Sequence, residues 1–331
     1  MLSTERRSAD YVTARRLRSQ NTVIGIDGGG TKTDAVIMDA NYRVLGEGVA
    51  GPSNPLRVGI VKAAAAVREA IDKTCQAAQV QRRDIQAAEV GLAGARREEL
   101  RSRMREALSN TGIAQIEVVS DADIALYGAT DGEPGVVVIA GTGSVCCGIN
   151  GRGKQMCAGG WGPIVGDEGG GSWIARQALR AIARGADGRG PETRMTAAAI
   201  AYFHITTADD LSTAIYAPTV TNERIAGFAK QVIKAAKAQD QVAREILAQT
   251  GIELGLAAAA VIHNLKMERE RFQVAYVGGV FSAAGELVLG AMREEVKRIA
   301  PRAYLARPRF SPAVAAARMA REHLNHIALA V

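Results

Sequence analysis

A glycine-rich turn near the amino end carries the residues best suited to bind an anion. The stretch DGGGTKT, residues 27–33, lies between two short apolar runs, 23–26 and 34–38. Glycines let the backbone approach a ligand closely and take positive φ, and successive N–H groups of such a turn form an anion-binding nest. Asp27 would repel a phosphate group unless a cation lay between them, so we expect Mg²⁺ there. The predicted phosphate contacts of this turn are Gly29, Gly30, Thr31 and Lys32.

Two familiar phosphate-binding loops do not fit this stretch. A Walker loop places Lys and Ser/Thr directly after G-x-x-x-x-G, whereas here a threonine intrudes before Lys32. A dinucleotide fingerprint requires a third glycine where Thr33 stands. Both loops also lead into a helix, but the run 34–38 is too short for one and has strand character. The sequence therefore predicts strand, turn, strand, with a third strand over 42–48; a plain hairpin, the simplest alternative, needs only one or two glycines.

The same arrangement recurs in the middle of the chain. Residues 136–160 contain a buried strand, the turn GTGS at 141–144, a short strand, a polar turn and a third strand that ends in two glycines. Two copies of one supersecondary unit indicate duplicated domains, each of which presents a phosphate-binding hairpin. We expect the two hairpins to bind one triphosphate. The predicted contacts of the second turn are Thr142 and Gly143.

Asp121 is the predicted catalytic base. It follows the short apolar strand 116–120, and the carboxyl end of a strand lies at the rim of an α/β sheet. Phosphoryl transfer to a hydroxyl group benefits from a carboxylate that accepts the proton. Asp123 is the alternative base, although its place at the start of a helix favours an interaction with the helix dipole. The simplest structural role for Asp121 is a cap of the helix 122–130.

Composition limits the classes of function. The 331 residues are 47% hydrophobic, which suits two globular domains, and no apolar run approaches the ~20 residues of a membrane span. Only 4% are aromatic, which disfavours single-stranded nucleic acid, and the formal net charge of +7 suits an anionic nucleotide. The cysteines include no C-x-x-C pair and no zinc-site spacing. We expect a cytoplasmic protein with reduced cysteines, Cys146 and Cys147 packed in the core, and neither nucleic-acid nor membrane partners.

Five stretches together resemble the superfamily of sugar kinases, heat-shock ATPases and actin. Within it, the chain resembles the N-acetylglucosamine kinase branch, which is grouped with the BadF/BadG/BcrA/BcrD-type ATPases that activate benzoyl-CoA and related reductases. The resemblance extends over about residues 22–325. It rests on DGGGTKT at 27–33, SDAD at 120–123, GTGS at 141–144, GGWGPIVGDEG at 159–169 and VGGV at 277–280.

The resemblance implies a sugar site and a nucleotide site. Asp167 would bind the sugar hydroxyl groups, and Asn54, in the turn GPSNP, would add a further hydrogen bond. Trp161, among glycines, either lies flat against the sugar or anchors the core, and the role of Glu168 stays open. The family pattern has an asparagine where Val145 stands, so the exact sugar also stays open. The implied substrate-binding residues are Asn54, Asp121, Ser144, Val145, Trp161, Gly162 and Asp167, and the implied contacts with the nucleoside are Gly227, Gly278 and Gly279.

The resemblance also implies an α/β fold of two duplicated actin-like (ribonuclease H-like) domains with a central cleft. Residues 1–21 would form a flexible extension, 22–121 the N-terminal actin-like ATPase domain and 122–310 the C-terminal one. A final helix within 311–331 would return to the N-terminal domain. ATP and sugar would bind in the cleft, whose closure excludes water.

The predicted function is an ATP-dependent amino-sugar kinase that phosphorylates the 6-hydroxyl group of N-acetylglucosamine. Its cofactors would be ATP and Mg²⁺, its partner a small-molecule sugar, and its implied assembly a homodimer. Glucosamine or a related amino sugar is the first alternative substrate. A reductase-activator ATPase is a second alternative, and it needs a cysteine-ligated iron–sulfur cluster. A sugar-sensing regulator is the third, but such proteins add a DNA-binding helix-turn-helix, for which residues 1–20 are too short.

Overall fold

The computed structural model describes the backbone of residues 22–329 and the side chains of residues 22–325. By their contacts, these residues form two compact units. The first comprises the residues up to Asp131 together with those from Arg309 onward, and the second is Gly132–Pro308. The predicted extension 1–21 lies outside the described residues. The domain bounds predicted at 121 and 310 stay predictions.

The described residues contain ten strands in two five-stranded sheets, one in each unit. The strands of the first sheet are β1 (Thr22–Gly28), β2 (Thr33–Met38), β3 (Val44–Ala50), β4 (Ile85–Leu92) and β5 (Gln115–Ser120). The strands of the second sheet are β6 (Gly135–Ala140), β7 (Ser144–Ile149), β8 (Gln155–Gly159), β9 (Gln273–Val277) and β10 (Tyr304–Ala306).

Both sheets have the same topology. The strand order is β3-β2-β1-β4-β5 in the first and β10-β9-β6-β7-β8 in the second. In each sheet the first three strands along the chain pair antiparallel, and the remaining two run parallel to the first. The predicted α/β fold with a duplicated unit is therefore confirmed, as is a hairpin at each glycine-rich turn.

The helices follow the strands along the chain. Those described in the first unit are α1 (Pro55–Val58), α2 (Ile60–Ala78), α3 (Glu98–Leu108), α4 (Asp121–Thr130) and, after the second unit, α13 (Pro312–Leu329). Those of the second unit are α5 (Gly171–Ala186), α6 (Met195–Phe203), α7 (Leu211–Ile215), α8 (Asn222–Gly227), α9 (Ala229–Lys237), α10 (Gln241–Leu265), α11 (Gly279–Ala284) and α12 (Glu286–Ile299). Short 3₁₀ helices occupy Arg82–Asp84, Ser109–Thr111 and Ala208–Asp210.

The central strand of the first sheet, β1, is buried on both faces. Ile24 and Ile26 belong to the core that includes α2, whereas Val23 packs with Ala317 of α13. A Cβ atom on Gly25 would overlap the backbone of Ala317. The small residue therefore lets α13 lie directly on the strand, and the position of β1 is fixed between two helical layers.

The helix α10 is the longest helix of the second unit. Among the helices that the structure describes, it alone is long and apolar enough to cross a membrane. From the sequence we expected no segment of that length and hydrophobicity. Half of its most apolar window is buried inside the protein. Gly251 and Gly255 bring it against Val288 and Glu295 of α12. This burial is typical of a core helix. A core helix can be as long and as apolar as a helix that spans a membrane.

A disulfide bond joins Cys147 and Cys157 across the β7–β8 hairpin. The two residues are direct partners in the strand register, with Cα atoms 4.1 Å apart. We expected reduced cysteines, and the structure corrects this for these two. Their separation of 10 positions matches no familiar spacing, and only the register brings the two thiols together. Cys146 and Cys147 are buried, as predicted, and Cys75 and Cys146 are free.

Candidate active site

Backbone hydrogen bonds from a neighbouring segment hold the turn between β1 and β2. The N–H group of Gly29 donates to the carbonyl oxygen of Lys32, at 2.9 Å. The carbonyl oxygen of Gly29 accepts hydrogen bonds from the N–H groups of Ser53 and Asn54, at 3.0 and 3.2 Å. The turn is therefore attached to the segment that follows β3, which contains the predicted sugar ligand Asn54.

The glycines of this turn do not have the positive φ that we expected. None of Gly28, Gly29 and Gly30 has positive φ. A Cβ atom on Gly28 would overlap the hydroxyl group of Ser53, and one on Gly30 would lie 2.9 Å from Nη1 of Arg57. Gly28 and Gly30 lie close to neighbouring segments, and the expected positive φ is wrong for this turn, whereas the close approach of an anion stays a prediction.

Two side chains of the turn already have partners in the structure. Nζ of Lys32 lies 2.7 Å from a carboxylate oxygen of Asp34. Oγ1 of Thr33 donates a hydrogen bond to the carbonyl oxygen of Gly51, at 2.6 Å. Thr31 is exposed at the tip of the turn. The contacts of Thr31 and Lys32 with phosphate therefore stay predictions.

Asp27 and Asp121 lie near each other at the carboxyl ends of β1 and β5. Burial, followed by the negative charges of Asp121 and Asp34, raises the pKa of Asp27 to about 6. Burial also raises the pKa of Asp121 to about 6, although hydrogen bonds from the backbone of Ala122 and of Asp121 itself oppose the shift. The negative charges of Asp121 and Asp34 around Asp27 favour a cation beside it.

Asp27 fits the usual coordination of Mg²⁺ in part. Among the described residues, no group of three or more His, Cys, Asp or Glu side chains could hold a metal ion. Mg²⁺ is commonly bound by one or two carboxylates, with water and substrate phosphates as the other ligands. The crowding of negative charge around Asp27 is therefore the observation that fits this ion.

The alternative base Asp123 is engaged in helix capping. Its Oδ2 accepts hydrogen bonds from the N–H and the hydroxyl groups of Ser120, at 2.9 and 2.8 Å, and its own N–H donates to Oγ of Ser120, at 3.3 Å. This capping box makes Ser120 the cap of α4. Asp121 does not have that structural role; its carboxylate accepts a hydrogen bond from Ala122 N–H, at 3.0 Å.

Asn54 caps the short helix α1. Its Oδ1 accepts a hydrogen bond from the N–H group of Leu56, at 3.0 Å. The same oxygen lies against Gly94, which has a φ of +83°. The oxygen is thus engaged locally, and the side-chain amide nitrogen is the group that could donate a hydrogen bond to a sugar.

In the second unit, the turn of the β6–β7 hairpin packs against the start of α5. The N–H group of Ser172 donates to the carbonyl oxygen of Thr142, at 2.9 Å. A Cβ atom on Gly143 would overlap the carboxylate of Asp167. The predicted phosphate turn and the predicted sugar ligand of this unit are therefore in direct contact.

The structure brings together the predicted sugar ligands of the second unit. Oδ1 of Asp167 accepts a hydrogen bond from Gly162 N–H, at 3.2 Å, and Oγ of Ser144 donates to the carbonyl oxygen of Glu168, at 2.6 Å. Burial raises the pKa of Asp167, against the backbone hydrogen bonds from Gly162 and Ser144. Trp161 is 71% exposed, so it is not a core anchor. Its indole ring is accessible to a ligand.

A pocket of about 240 Å³ opens beside these residues. Val145 and Trp161 line it together with Leu254 and Ala257 of α10. A larger groove of about 780 Å³ lies between α5 and α10, but none of the predicted site residues line it. Volume alone therefore does not identify a site, and the smaller pocket is the one that predicted site residues line.

The three glycines predicted to contact the nucleoside differ in their surroundings. Gly278 has a φ of +116°, and a Cβ atom there would overlap the backbone of Ala140. Gly227 lies against the hydroxyl group of Tyr202. Gly279 has no atom within 4 Å of its Cβ position, so it has open space beside it. Their contacts with a nucleoside stay predictions.

Four residues that contact predicted site residues were not themselves predicted: Ser53, Arg57, Gly94 and Tyr202. Each acts through contact with a predicted residue that is distant along the chain, such as Ser53 with Gly28 and Tyr202 with Gly227. No local pattern in the sequence marks such a partner. For Ser53, the sequence offered one indication, its place in the turn GPSNP beside the predicted sugar ligand Asn54.

Two sheets of one topology, each with a glycine-rich hairpin, define the class of actin-like ATPase folds. The chain belongs to the BadF/BadG/BcrA/BcrD ATPase family, whose model matches residues 24–320. Membership of this ATPase family implies that the nucleotide is ATP.

Named relatives cover most of the chain. The N-acetylmuramic acid/N-acetylglucosamine kinase of Clostridium acetobutylicum is 35% identical over 261 residues, which are 78% of this chain and 85% of that protein. The N-acetyl-D-glucosamine kinase of Dictyostelium discoideum is 30% identical over 316 residues, which are 91% and 98% of the two chains. The solved structure of a candidate N-acetylglucosamine kinase from Chromobacterium violaceum is 26% identical, with a TM-score of 0.75 over 92% of this chain and 99% of that one.

Proposed function

We propose that the protein is an ATP-dependent amino-sugar kinase that transfers the γ-phosphoryl group of ATP to the 6-hydroxyl group of N-acetylglucosamine. The two curated relatives described above are named as kinases of this sugar, and they match the chain over most of their length. The observation that carries the proposal is the partly buried carboxylate of Asp121, directly after β5 and in the same unit as the first glycine-rich turn.

In the proposed reaction, Asp121 accepts the proton of the 6-hydroxyl group while that oxygen attacks the γ-phosphorus atom. The bond from the phosphorus to the bridging oxygen breaks, and its electron pair leaves with ADP. Burial raises the pKa of Asp121 to about 6. The carboxylate is therefore a stronger base than an ordinary aspartate and is still mainly ionised at neutral pH.

Both glycine-rich turns bind the triphosphate through backbone N–H groups in this proposal. Asp27 would hold Mg²⁺ together with phosphate oxygens, and the ion would supply positive charge to the phosphoryl group. This role accounts for the position of Asp27 beside Asp121 and Asp34, which raise its pKa.

Asn54 and Asp167 bind the sugar hydroxyl groups, and Trp161 packs on the sugar ring. The fixed carboxylate of Asp167 and the exposed indole ring of Trp161 support this arrangement. The neighbouring pocket has apolar walls at Val145 and Leu254, which suit the methyl group of an N-acetyl substituent.

Glucosamine is the second candidate substrate. Two carboxylates, those of Glu168 and Glu253, also line the pocket beside Val145. An acidic wall suits the ammonium group of glucosamine and disfavours an anionic substituent.

A coupled assay with ATP tests the proposal across N-acetylglucosamine, glucosamine, N-acetylmuramic acid and glucose, with and without Mg²⁺. The expected result is the highest kcat/KM with N-acetylglucosamine, a requirement for Mg²⁺, and one sugar 6-phosphate formed for each ADP. A higher kcat/KM with glucosamine would identify the protein as a glucosamine kinase instead. Hydrolysis of ATP without any phosphorylated sugar would contradict a kinase.

The cysteines weigh against the reductase-activator alternative. Cys147 and Cys157 are bonded to each other, and Cys75 and Cys146 are buried. These four are all the cysteines of the chain, so no exposed set remains to ligate an iron–sulfur cluster. A colourless purified protein without iron is the expected result.

A cytoplasmic homodimer is the proposed form of the enzyme. The cytoplasm supplies the ATP that the family uses. Size-exclusion chromatography with light scattering measures the assembly, and a mass of about twice the 34.8 kDa of the chain is expected. A single-chain mass at enzyme concentrations used for assays would exclude the dimer.

A further inference from the structure

Lys32, the one basic residue within the first glycine-rich turn, is already paired. Its Nζ lies 2.7 Å from one carboxylate oxygen of Asp34 and 3.0 Å from the other. Asp27 and Asp121 add two further carboxylates nearby. A triphosphate bound at this turn therefore meets the carboxylates of Asp27 and Asp121 beside the Lys32–Asp34 ion pair, and positive charge from outside the turn would stabilise it.

Arg57, on α1, is placed to supply that charge. A Cβ atom on Gly30 would lie 2.9 Å from Nη1 and 3.3 Å from Cζ of Arg57, so the guanidinium group lies directly against the turn. Arg57 is exposed, and a ligand can reach it. The preceding residues Ser53 and Asn54 both donate their N–H groups to the carbonyl oxygen of Gly29. The fold therefore anchors the segment of Arg57 to the turn.

We propose that Arg57 is a catalytic residue that binds the γ-phosphoryl group of ATP beside Gly30 and stabilises its negative charge during transfer. The proposal rests on the kinase function proposed above and extends it to a residue outside both glycine-rich turns. A guanidinium group stays protonated, and its N–H groups match two phosphate oxygens in a geometry that an ammonium group cannot reproduce. Arg57 donates hydrogen bonds only, and no covalent bond forms or breaks at it.

Nucleotide binding tests this contact without turnover. Arg57→Ala is expected to weaken the binding of a non-hydrolysable ATP analogue by about tenfold or more, with the affinity for ADP unchanged, in calorimetry with Mg²⁺. Arg103→Ala removes an exposed arginine of α3 and serves as the matched control, with both affinities unchanged. An equal loss for the two nucleotides, or no loss, overturns the proposal.

Sugar phosphorylation gives a second readout. Arg57→Ala is expected to lower kcat on the order of 10²-fold, Arg57→Lys to restore only part of it, and added guanidinium ion to rescue the alanine variant in part. A purely structural role would show no such rescue. An active wild-type enzyme with an equally active Arg57→Ala variant overturns the Arg57 proposal alone. If the wild type phosphorylates no sugar, the proposed function fails, while calorimetry still decides whether Arg57 contacts the γ-phosphoryl group.

Discussion

The backbone of Gly143 lies directly against the carboxylate of Asp167, so that a Cβ atom at residue 143 would overlap that side chain. Gly143 belongs to the glycine-rich turn after β6, whereas Asp167 lies between β8 and α5. A shift of the turn would therefore displace the carboxylate. In the second unit, the predicted phosphate contact and the predicted sugar contact are coupled by packing.

Gly143→Ala tests this coupling. The added methyl group displaces Asp167 from its hydrogen bond with Gly162, and we expect the KM for sugar to rise about tenfold, the value of one charge-assisted hydrogen bond. Gly143 does not have positive φ, so its backbone tolerates alanine. Steady-state kinetics measure the effect, and Gly151→Ala, in the distal turn between β7 and β8, is the control. A change in the KM for ATP alone would contradict the coupling.

Asp121→Asn is expected to lower kcat by about 10²–10⁴-fold because the amide cannot accept a proton. The KM for sugar should change little, since the amide keeps the shape of the side chain. Asp123→Asn is the matched control, which disturbs the capping box with Ser120 and costs about 1 kcal/mol of stability without a large loss of kcat. Near-normal turnover of Asp121→Asn would remove this residue from the mechanism.

The rate should depend on pH in a defined direction. Burial raises the pKa of Asp121 to about 6, so its carboxylate becomes protonated, and cannot act as a base, as the pH falls through about 6. We expect kcat to rise with pH through this value and then to level off. The pKa of Asp27 is also raised to about 6, so the acidic limb reports the interacting pair. An inflection at 3.8, the ordinary value of an aspartate, would contradict the assignment.

A second pair of titrating groups, Glu89 and His323, should affect stability. Glu89 is fully buried in β4, and its Oε2 lies 3.0 Å from Nδ1 of His323 on α13. Burial raises the pKa of Glu89, although the hydrogen bond with His323 opposes this shift. The hydrogen bond with Glu89 raises the pKa of His323 above its ordinary 6.5.

Both groups bind protons more tightly in the folded protein. The contribution of His323 to the free energy of unfolding is therefore complete below pH 6.5. It is lost as the pH rises through the raised pKa of His323. We expect Tm to fall over this range in the wild type and to fall less in Glu89→Gln, as measured by calorimetry. Glu106→Gln, which changes an exposed acid of α3 outside the pair, should behave like the wild type. An equal pH dependence in Glu89→Gln would refute the pairing.

Local patterns were sufficient to predict the elements that carry the candidate site. The glycine-rich turns at 27–33 and 141–144, each between apolar runs, predicted both hairpins, and their repetition predicted the duplicated topology. A helix over 122–130 was predicted after the short strand 116–120, and α4 begins one residue earlier, at Asp121. These features depend on interactions between residues that are close along the chain, and the sequence records them directly.

The contacts between distant residues were decided by the tertiary structure alone. No spacing indicates that Cys147 faces Cys157 or that His323 lies beside Glu89, because such contacts depend on strand register and on where a helix packs. The same holds for Gly30, whose sequence context suggested positive φ, whereas the structure gives it no positive φ and places it against Arg57. The sequence by itself determined the turns and strands, and the packing of segments far apart in the chain determined what each turn contacts.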